Sequence, residues 1–158
     1  MVVQFSKHAG KAPTLTCARD DGSSTWFNAG HNGEFFVAHD LLHFAVETTL
    51  GFSTAFYGMI AAGRDLTDFG TRGGKPDPRP YTDEAMQAEH IVGLIQVLFP
   101  PDIHPNYATF VEAYHEKSSL KLNVSQEQLL EIHEKWCDLL HQWHELGDSG
   151  YFRLKFAV

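Results

Sequence analysis

Two histidines and a glutamate follow one another at helical spacing in the stretch from His39 to Glu47. An α-helix turns by about 100° per residue, so His39, His43 and Glu47 lie in one narrow row along its surface. Histidines four residues apart project side by side and can bind one divalent ion through their ring nitrogens. The spacing therefore predicts a metal site in which His39 and His43 are ligands and Glu47, one turn further on, is a third, anionic ligand.

The remaining surface of this helix is almost entirely apolar. It is formed by Phe35, Val37, Ala38, Leu41, Leu42, Phe44, Ala45 and Val46. A helix that is apolar over most of its circumference is buried, and its polar row must find partners inside the protein because lone buried charges are costly. A bound ion is one solution. A network in which the imidazoles and carboxylates hydrogen-bond one another, without a metal, is the alternative.

Asp40 lies in the same polar arc and has three open roles. It can be a ligand, a general base or an acceptor that orients an imidazole. As catalytic residues we expect Asp40 and Glu47, which would move protons while the ion lowers the pKa of a bound water or polarises a carbonyl. Zinc is the expected ion and iron(II) the second choice, because two histidines and one carboxylate also form the facial triad of iron oxygenases.

Two further clusters contain residues that can bind a metal. Glu89 and His90 lie in an apolar helix and point about 100° apart, so one of them faces inward. Glu89 is preferred as an additional ligand because its charge balances that of the ion, and His90 is the alternative. In the final helix His133, Cys137 and His141 follow at four-residue spacing, which indicates either a second metal site or, as we favour, a solvated flank with Cys137 as a core thiol.

The His-Asp-x-x-His pattern of His39, Asp40 and His43 resembles the motif of the coenzyme Q assembly family of ubiquinone biosynthesis, in which a downstream Glu follows. The resemblance implies a zinc-type site, with Glu47 as the nearest Glu. The pattern is also similar to the His-Glu-x-x-His helix of zincin metallopeptidases, with Asp40 in place of the Glu. Residues 39–63 also look like a group of small bacterial proteins, and this second resemblance indicates neither a reaction nor a substrate.

A segment from Arg64 to Pro80 is rich in glycine and proline and has no periodicity. It is either a surface loop or a lid over the site, because long loops in compact domains are often functional. Its basic residues Arg72, Lys75 and Arg79 are candidates for attracting an acidic group on a substrate. The aromatic residues near the metal motif, Phe36, Phe44, Phe52, Phe56 and Tyr57, suggest a pocket for a small and partly apolar substrate.

These residues must be positioned by a mostly helical α+β domain. Strands are predicted over 2–7, 14–19, 24–28 and 151–158, with Asp21-Gly22 as a hairpin turn. Helices are predicted from Glu34 to Leu50, over 53–62, from an N-cap at Thr82 to about Phe99, over 107–116, and from a cap at Ser125 to Leu146. The terminal strands are expected to form a small antiparallel sheet.

Length and charge narrow the function further. The 158 residues suit a single domain, with a β-rich segment over 1–30, helices over 31–147 and a strand over 151–158. A net charge of −8 disfavours nucleic acid, and no stretch reaches the roughly 20 apolar residues of a membrane span. We therefore expect a cytoplasmic protein with reduced cysteines that acts on a small molecule as a metal-dependent hydrolase, lyase or oxygenase. A non-catalytic protein with a structural metal or a buried network is the alternative, and strands at both ends allow a homodimer.

Overall fold

The first and last strands of the chain pair with each other in an antiparallel sheet. The structure is a computed structural model that describes residues 1–69 and 77–157. The sheet has the strand order β3-β2-β1-β4, and it is formed by β1 (Val2–His8), β2 (Lys11–Ala18), β3 (Ser24–Asn28) and β4 (Gly150–Lys155). The pairing of β1 with β4 confirms the predicted sheet and the α+β class.

The predicted hairpin between β2 and β3 is present, and Gly22 in its turn has a φ of 87°. A second hairpin, between β1 and β2, was missed by the sequence analysis, because β2 begins at Lys11 and not at residue 14. Pro13 concealed it, since a proline usually argues against a central strand. The register between β1 and β2 shifts beside Ser6, and this irregularity is the kind of place where a strand accommodates proline.

In the part of the chain that the structure describes, five α-helices follow the order expected from the sequence: α1 (Gly33–Leu50), α2 (Phe56–Ala61), α3 (Asp83–Leu98), α4 (Tyr107–Lys117) and α5 (Gln126–Glu145). The predicted N-caps are confirmed, because the hydroxyls of Thr82 and Ser125 accept hydrogen bonds from the first turns of α3 and α5. Helix α2 starts three residues later than predicted. The backbone amide and hydroxyl of Thr54 bond to the carboxylate of Glu84 instead of entering the helix.

Helix α1 lies at the centre of the molecule and contacts α3 and α5 along its length. Seven consecutive residues, 41–47, are buried together with Asp40. Two hydrogen bonds to its backbone hold its neighbours in place: the indole of Trp136 in α5 donates to the carbonyl of Ala38, and the hydroxyl of Tyr57 in α2 donates to that of Asp40, both at 2.9 Å. Asp40, His43 and Glu47 of the polar row predicted from the sequence are therefore inside the protein, and His39 is half-buried.

Two other expectations concern the surface and the cysteines. No helix within residues 1–69 and 77–157 is long and apolar enough to cross a membrane. Neither Cys17 nor Cys137 forms a disulfide, and only Cys17 is in the core. Cys137 was expected there and is half-buried, because its place on α5 faces the carbonyl of Pro101 and not the apolar interior.

Candidate metal centre

Three potential ligand atoms from two helices converge at the inner surface of α1. The rings of His39 and His43 stand side by side with centroids 4.7 Å apart. Glu89 reaches them from α3: one carboxylate oxygen lies 3.5 Å from Nε2 of His43, and the other lies 4.0 Å from Nε2 of His39. These ligand atoms all lie within 4.8 Å of one another. Side-chain shifts of about 1 Å would bring them to the ligand–ligand separations of about 3.4 Å expected around one tetrahedral ion.

Each imidazole is oriented through its other ring nitrogen. Nδ1 of His39 lies 2.9 Å from the amide oxygen of Gln96, and Nδ1 of His43 lies 3.4 Å from the carboxylate of Glu47. Acceptors at Nδ1 favour the tautomer that presents a lone pair on Nε2, which is how histidine ligands are commonly held. Both Nε2 atoms are thereby directed towards Glu89.

Glu47 is held in turn by the backbone of α2. Its carboxylate accepts a hydrogen bond of 2.9 Å from the amide of Tyr57, and the amide of Gly58 also bonds to it. Gly58 is required at its position because a Cβ atom there would lie 2.1 Å from the carbonyl oxygen of Ser53. The close approach of α2 to α1 thus depends on a residue without a side chain, and it supports the carboxylate that supports His43.

Burial and charge give the two histidines different acid–base properties. Burial alone would lower the pKa of His43, but its contacts with Glu47 and Glu89 outweigh burial and raise the pKa to about 9. Burial lowers the pKa of His39, and the charge of His43 lowers it further. For Glu47 burial acts in the other direction and raises the pKa, because it disfavours the charged carboxylate. Two carboxylates therefore place negative potential around His43, as a cation site would require.

The contacts within the cluster do not satisfy its buried polar atoms by themselves. Both ring nitrogens of His43 and one oxygen of Glu47 are buried and have no well-formed hydrogen bond. An unsatisfied buried polar group costs about 1–3 kcal/mol. The metal-free network was the alternative interpretation of the sequence, and at His43 it consists of ion-pair contacts of 3.4 and 3.5 Å with poor hydrogen-bond geometry. An ion on Nε2 of His43 would replace the contact with Glu89.

Only some of the predicted site residues lie in the cluster of convergent ligand atoms. His39, His43 and Glu89 are brought together, whereas Asp40 and Glu47 do not belong to the cluster of convergent ligand atoms. Glu47 is entirely buried at Nδ1 of His43, on the side of the ring away from Glu89, and its predicted role as a ligand stays a prediction. Asp40 is also buried, and its backbone carbonyl is bonded to Tyr57.

Of the three basic residues expected to attract an acidic substrate, only Arg79 lies among the described residues. Arg72 and Lys75 lie outside the described residues. Arg79 is exposed and bonds to the carboxylate of Asp77. Arg64, from the same segment, is buried and donates to the carbonyls of Arg79 and Pro80, so it secures the chain entering α3.

A cavity of about 700 Å³ opens directly onto the three candidate ligands. Besides those ligands it is lined by Phe35, Phe36, Phe56, Phe69, Tyr81, Ala85, Met86 and His90. Of the aromatic residues expected near the site, Phe36 and Phe56 line this cavity. Phe44 and Tyr57 pack in the core behind the site, and Phe52 lies against the core as well. The cavity lies within the size range of small-molecule sites.

The sequence analysis missed Gln96. It also expected only one of Glu89 and His90 to face the site, whereas both line the cavity. Gln96 follows Glu89 by seven residues, which is two helical turns, so the two share one face of α3. That spacing was a usable signal. On α5, His133 is buried and its Nε2 lies 3.1 Å from the carbonyl of Phe99, while His141 is exposed. The favoured interpretation of a solvated flank is therefore correct for His141 and wrong for His133.

Comparisons with known protein families, with curated proteins and with solved structures found no match to this chain. The resemblance of the His39–His43 motif to the coenzyme Q assembly family therefore stays a prediction. The candidate site is defined by its own residues and their geometry.

Proposed function

We propose that this protein binds one divalent metal ion through Nε2 of His39, Nε2 of His43 and the carboxylate of Glu89, and that it is an enzyme acting on a small molecule. The observation that carries the proposal is the convergence of these three ligand atoms within 4.8 Å, one of them a buried imidazole nitrogen whose 3.5 Å contact with Glu89 is not a well-formed hydrogen bond.

A catalytic ion is favoured over a structural one by the number of ligands and by the cavity. Structural zinc sites are closed by four protein ligands, whereas catalytic sites keep a position for water or substrate. In the described residues only three ligands converge. The side chain of Glu89 is 61% exposed, which leaves the cavity side of the site accessible.

The donor set suits zinc and iron(II). Two imidazoles and one carboxylate form a common catalytic zinc shell, and the same three donors hold iron(II) in oxygenases. Zinc is the first expectation and iron(II) the second. When bound, either ion would act as a Lewis acid on a substrate oxygen or on water.

In this proposal the side chains around the ion have two functions, which are to orient the histidine ligands and to transfer a proton. Gln96 and Glu47 orient the two imidazoles, so that both Nε2 atoms face Glu89 before an ion arrives. Neither Asp40 nor Glu47 lines the cavity, whereas His90 does. We therefore assign proton transfer to His90 in place of the two carboxylates expected from the sequence.

The proposal is tested by metal analysis of the purified protein. Protein prepared both aerobically and anaerobically is analysed for zinc and iron, then dialysed against a chelator and titrated with each ion. We expect about one ion per chain, with severe loss in His39→Ala, His43→Ala and Glu89→Gln. His141→Ala and Glu112→Gln, which change exposed residues on α5 and α4, should keep the ion.

The alternative is a non-catalytic protein in which the buried cluster fixes the packing of α1. It is favoured by the contacts of His43 with two carboxylates, which supply pairing without an ion. A wild-type protein that folds and takes up no zinc or iron at micromolar concentrations would establish this alternative and refute the metal site.

A further inference from the structure

Aromatic rings flank both histidines of the proposed centre. The ring of Phe35 stacks on His39 with an interplanar angle of 17°, and the ring of Phe56 packs against His43 with centroids 5.2 Å apart. Phe56 continues into a row with Phe69 and Tyr81, whose centroids follow at 4.8 and 6.3 Å. A molecule bound at the ion therefore meets ring faces and edges on more than one side.

The cavity also contains a polar atom that has no task in holding the ligands. Nε2 of His90 is buried and lacks a hydrogen-bond partner, and the side chain of His90 lines the cavity. The ring stands edge-on to Tyr114, with an interplanar angle of 87° and centroids 5.0 Å apart, so its orientation is fixed by packing. A buried nitrogen of this kind is usually paired. Because Nε2 is closed to solvent in this structure, a polar group of a bound molecule would contact it after a local rearrangement of the cavity wall.

These two observations deepen the proposed function and rest on it. We infer that the substrate is a small aromatic compound that binds the ion through an oxygen and presents a second polar group to Nε2 of His90. An aromatic ring is favoured over an aliphatic one because ring pairs gain from stacked and edge-to-face contacts beyond the area that they bury. A cavity of about 700 Å³ has room for a compound of one or two rings.

The test uses hydroxamates, which bind zinc through the same two oxygens whatever group they carry. The zinc-loaded protein is titrated calorimetrically with benzohydroxamate and with cyclohexanecarbohydroxamate, which differ in aromaticity and hardly in size. We expect benzohydroxamate to bind about tenfold more tightly. Phe69→Leu, which keeps this part of the wall apolar and removes one ring of the row, should reduce the preference for benzohydroxamate by about two- to threefold.

The role of His90 is tested with the three hydroxybenzohydroxamate isomers. At least one isomer should bind the wild type roughly five- to tenfold more tightly than benzohydroxamate does, as one additional hydrogen bond would give. That gain, measured as the ratio of the isomer's affinity to the affinity for benzohydroxamate in the same protein, should disappear in His90→Leu.

Metal content is measured on every sample before the titrations, so two kinds of failure are distinguished. A zinc-loaded protein that binds both ring types equally, or whose isomer gain survives in His90→Leu, overturns the inference and leaves the proposed function standing. A protein that takes up no metal overturns the proposed function and the inference with it.

Discussion

The carboxylate of Glu47 lies 3.4 Å from Nδ1 of His43, at the ring nitrogen opposite the one that faces Glu89. One turn of α1 thus supplies both a candidate ligand and the group that orients it. The same logic operates across helices for His39, whose Nδ1 lies 2.9 Å from Gln96 of α3. The two histidines differ in sequence context, but each has one nitrogen turned to a positioning oxygen and one turned to Glu89.

The two glutamates should therefore respond differently to the same substitution. Glu89→Gln removes a charged ligand and should weaken zinc binding by more than about a hundredfold, whereas Glu47→Gln removes only the acceptor at Nδ1 and should weaken it by about ten- to a hundredfold. Competition with a chromogenic chelator measures both affinities. Glu112→Gln is the matched control, and a larger loss in Glu47→Gln than in Glu89→Gln would reverse our assignment.

Gln96 is expected to matter for metal binding although it contacts no ion. Gln96→Leu leaves Nδ1 of His39 without its acceptor and should lower zinc affinity by about tenfold with little loss of folded protein. Gln96→Glu supplies an acceptor again and should restore most of the affinity. If Leu and Glu at this position gave the same affinity as the wild type, Gln96 would have no positioning role.

The metal-free protein should lose stability as the pH rises. The contacts of His43 with Glu47 and Glu89 outweigh burial and raise its pKa to about 9, above the ordinary value of 6.5. A pKa raised on folding means that the folded state binds the proton more tightly. The resulting stabilisation is complete below about pH 6.5 and is lost as the pH rises through about 9.

Calorimetric scans with a chelator present, from pH 6 to 9.5, should show this as a falling Tm. The His43→Leu variant should have a flatter profile. Zinc affinity should change in the opposite direction, increasing with pH over the same window, because the ion needs His43 deprotonated. A metal-free Tm that increases towards pH 9.5 would contradict the assigned pairing.

Two glycine substitutions in helices should have opposite effects. Gly58→Ala places a Cβ against the carbonyl of Ser53, so we expect about 1–3 kcal/mol of destabilisation and weaker zinc binding through Glu47. Gly93→Ala, on α3, meets open space and should stabilise by about 0.5–1 kcal/mol. Urea unfolding measures both, and equal effects would show that the backbone contact at Gly58 carries no strain.

The sequence predicted those parts of the fold that follow from local pattern and capping. The buried α1, the caps at Thr82 and Ser125 and the pairing of terminal strands all have strong periodic or side-chain signals. The start of α2 was wrong because Thr54 bonds to Glu84, thirty residues away in sequence, and no local pattern reports a contact of that kind. Similarly, the first hairpin was concealed by Pro13.

The site was predictable in its residue types and less so in their roles. His39 and His43 could be paired from their spacing alone, and the preference for Glu89 as an additional ligand came from charge balance. Glu47 shares the helical row of the histidines, and spacing cannot show which ring nitrogen a carboxylate reaches. The position of Glu47 depends on the N–H groups of α2, which bond to its carboxylate and hold it at Nδ1 of His43.

All three proposed ligands come from α1 and α3, so an ion would link two helices that are otherwise joined by side-chain packing and by the hydrogen bond between His39 and Gln96. Occupancy and foldedness would then be linked, and free zinc at a hundred times its dissociation constant would add about 2.7 kcal/mol to the free energy of unfolding. Cells grown in metal-poor medium should consequently yield less folded protein, and not merely protein with an empty centre. The yield of folded protein would then depend on whether the growth medium supplies the metal that the site binds.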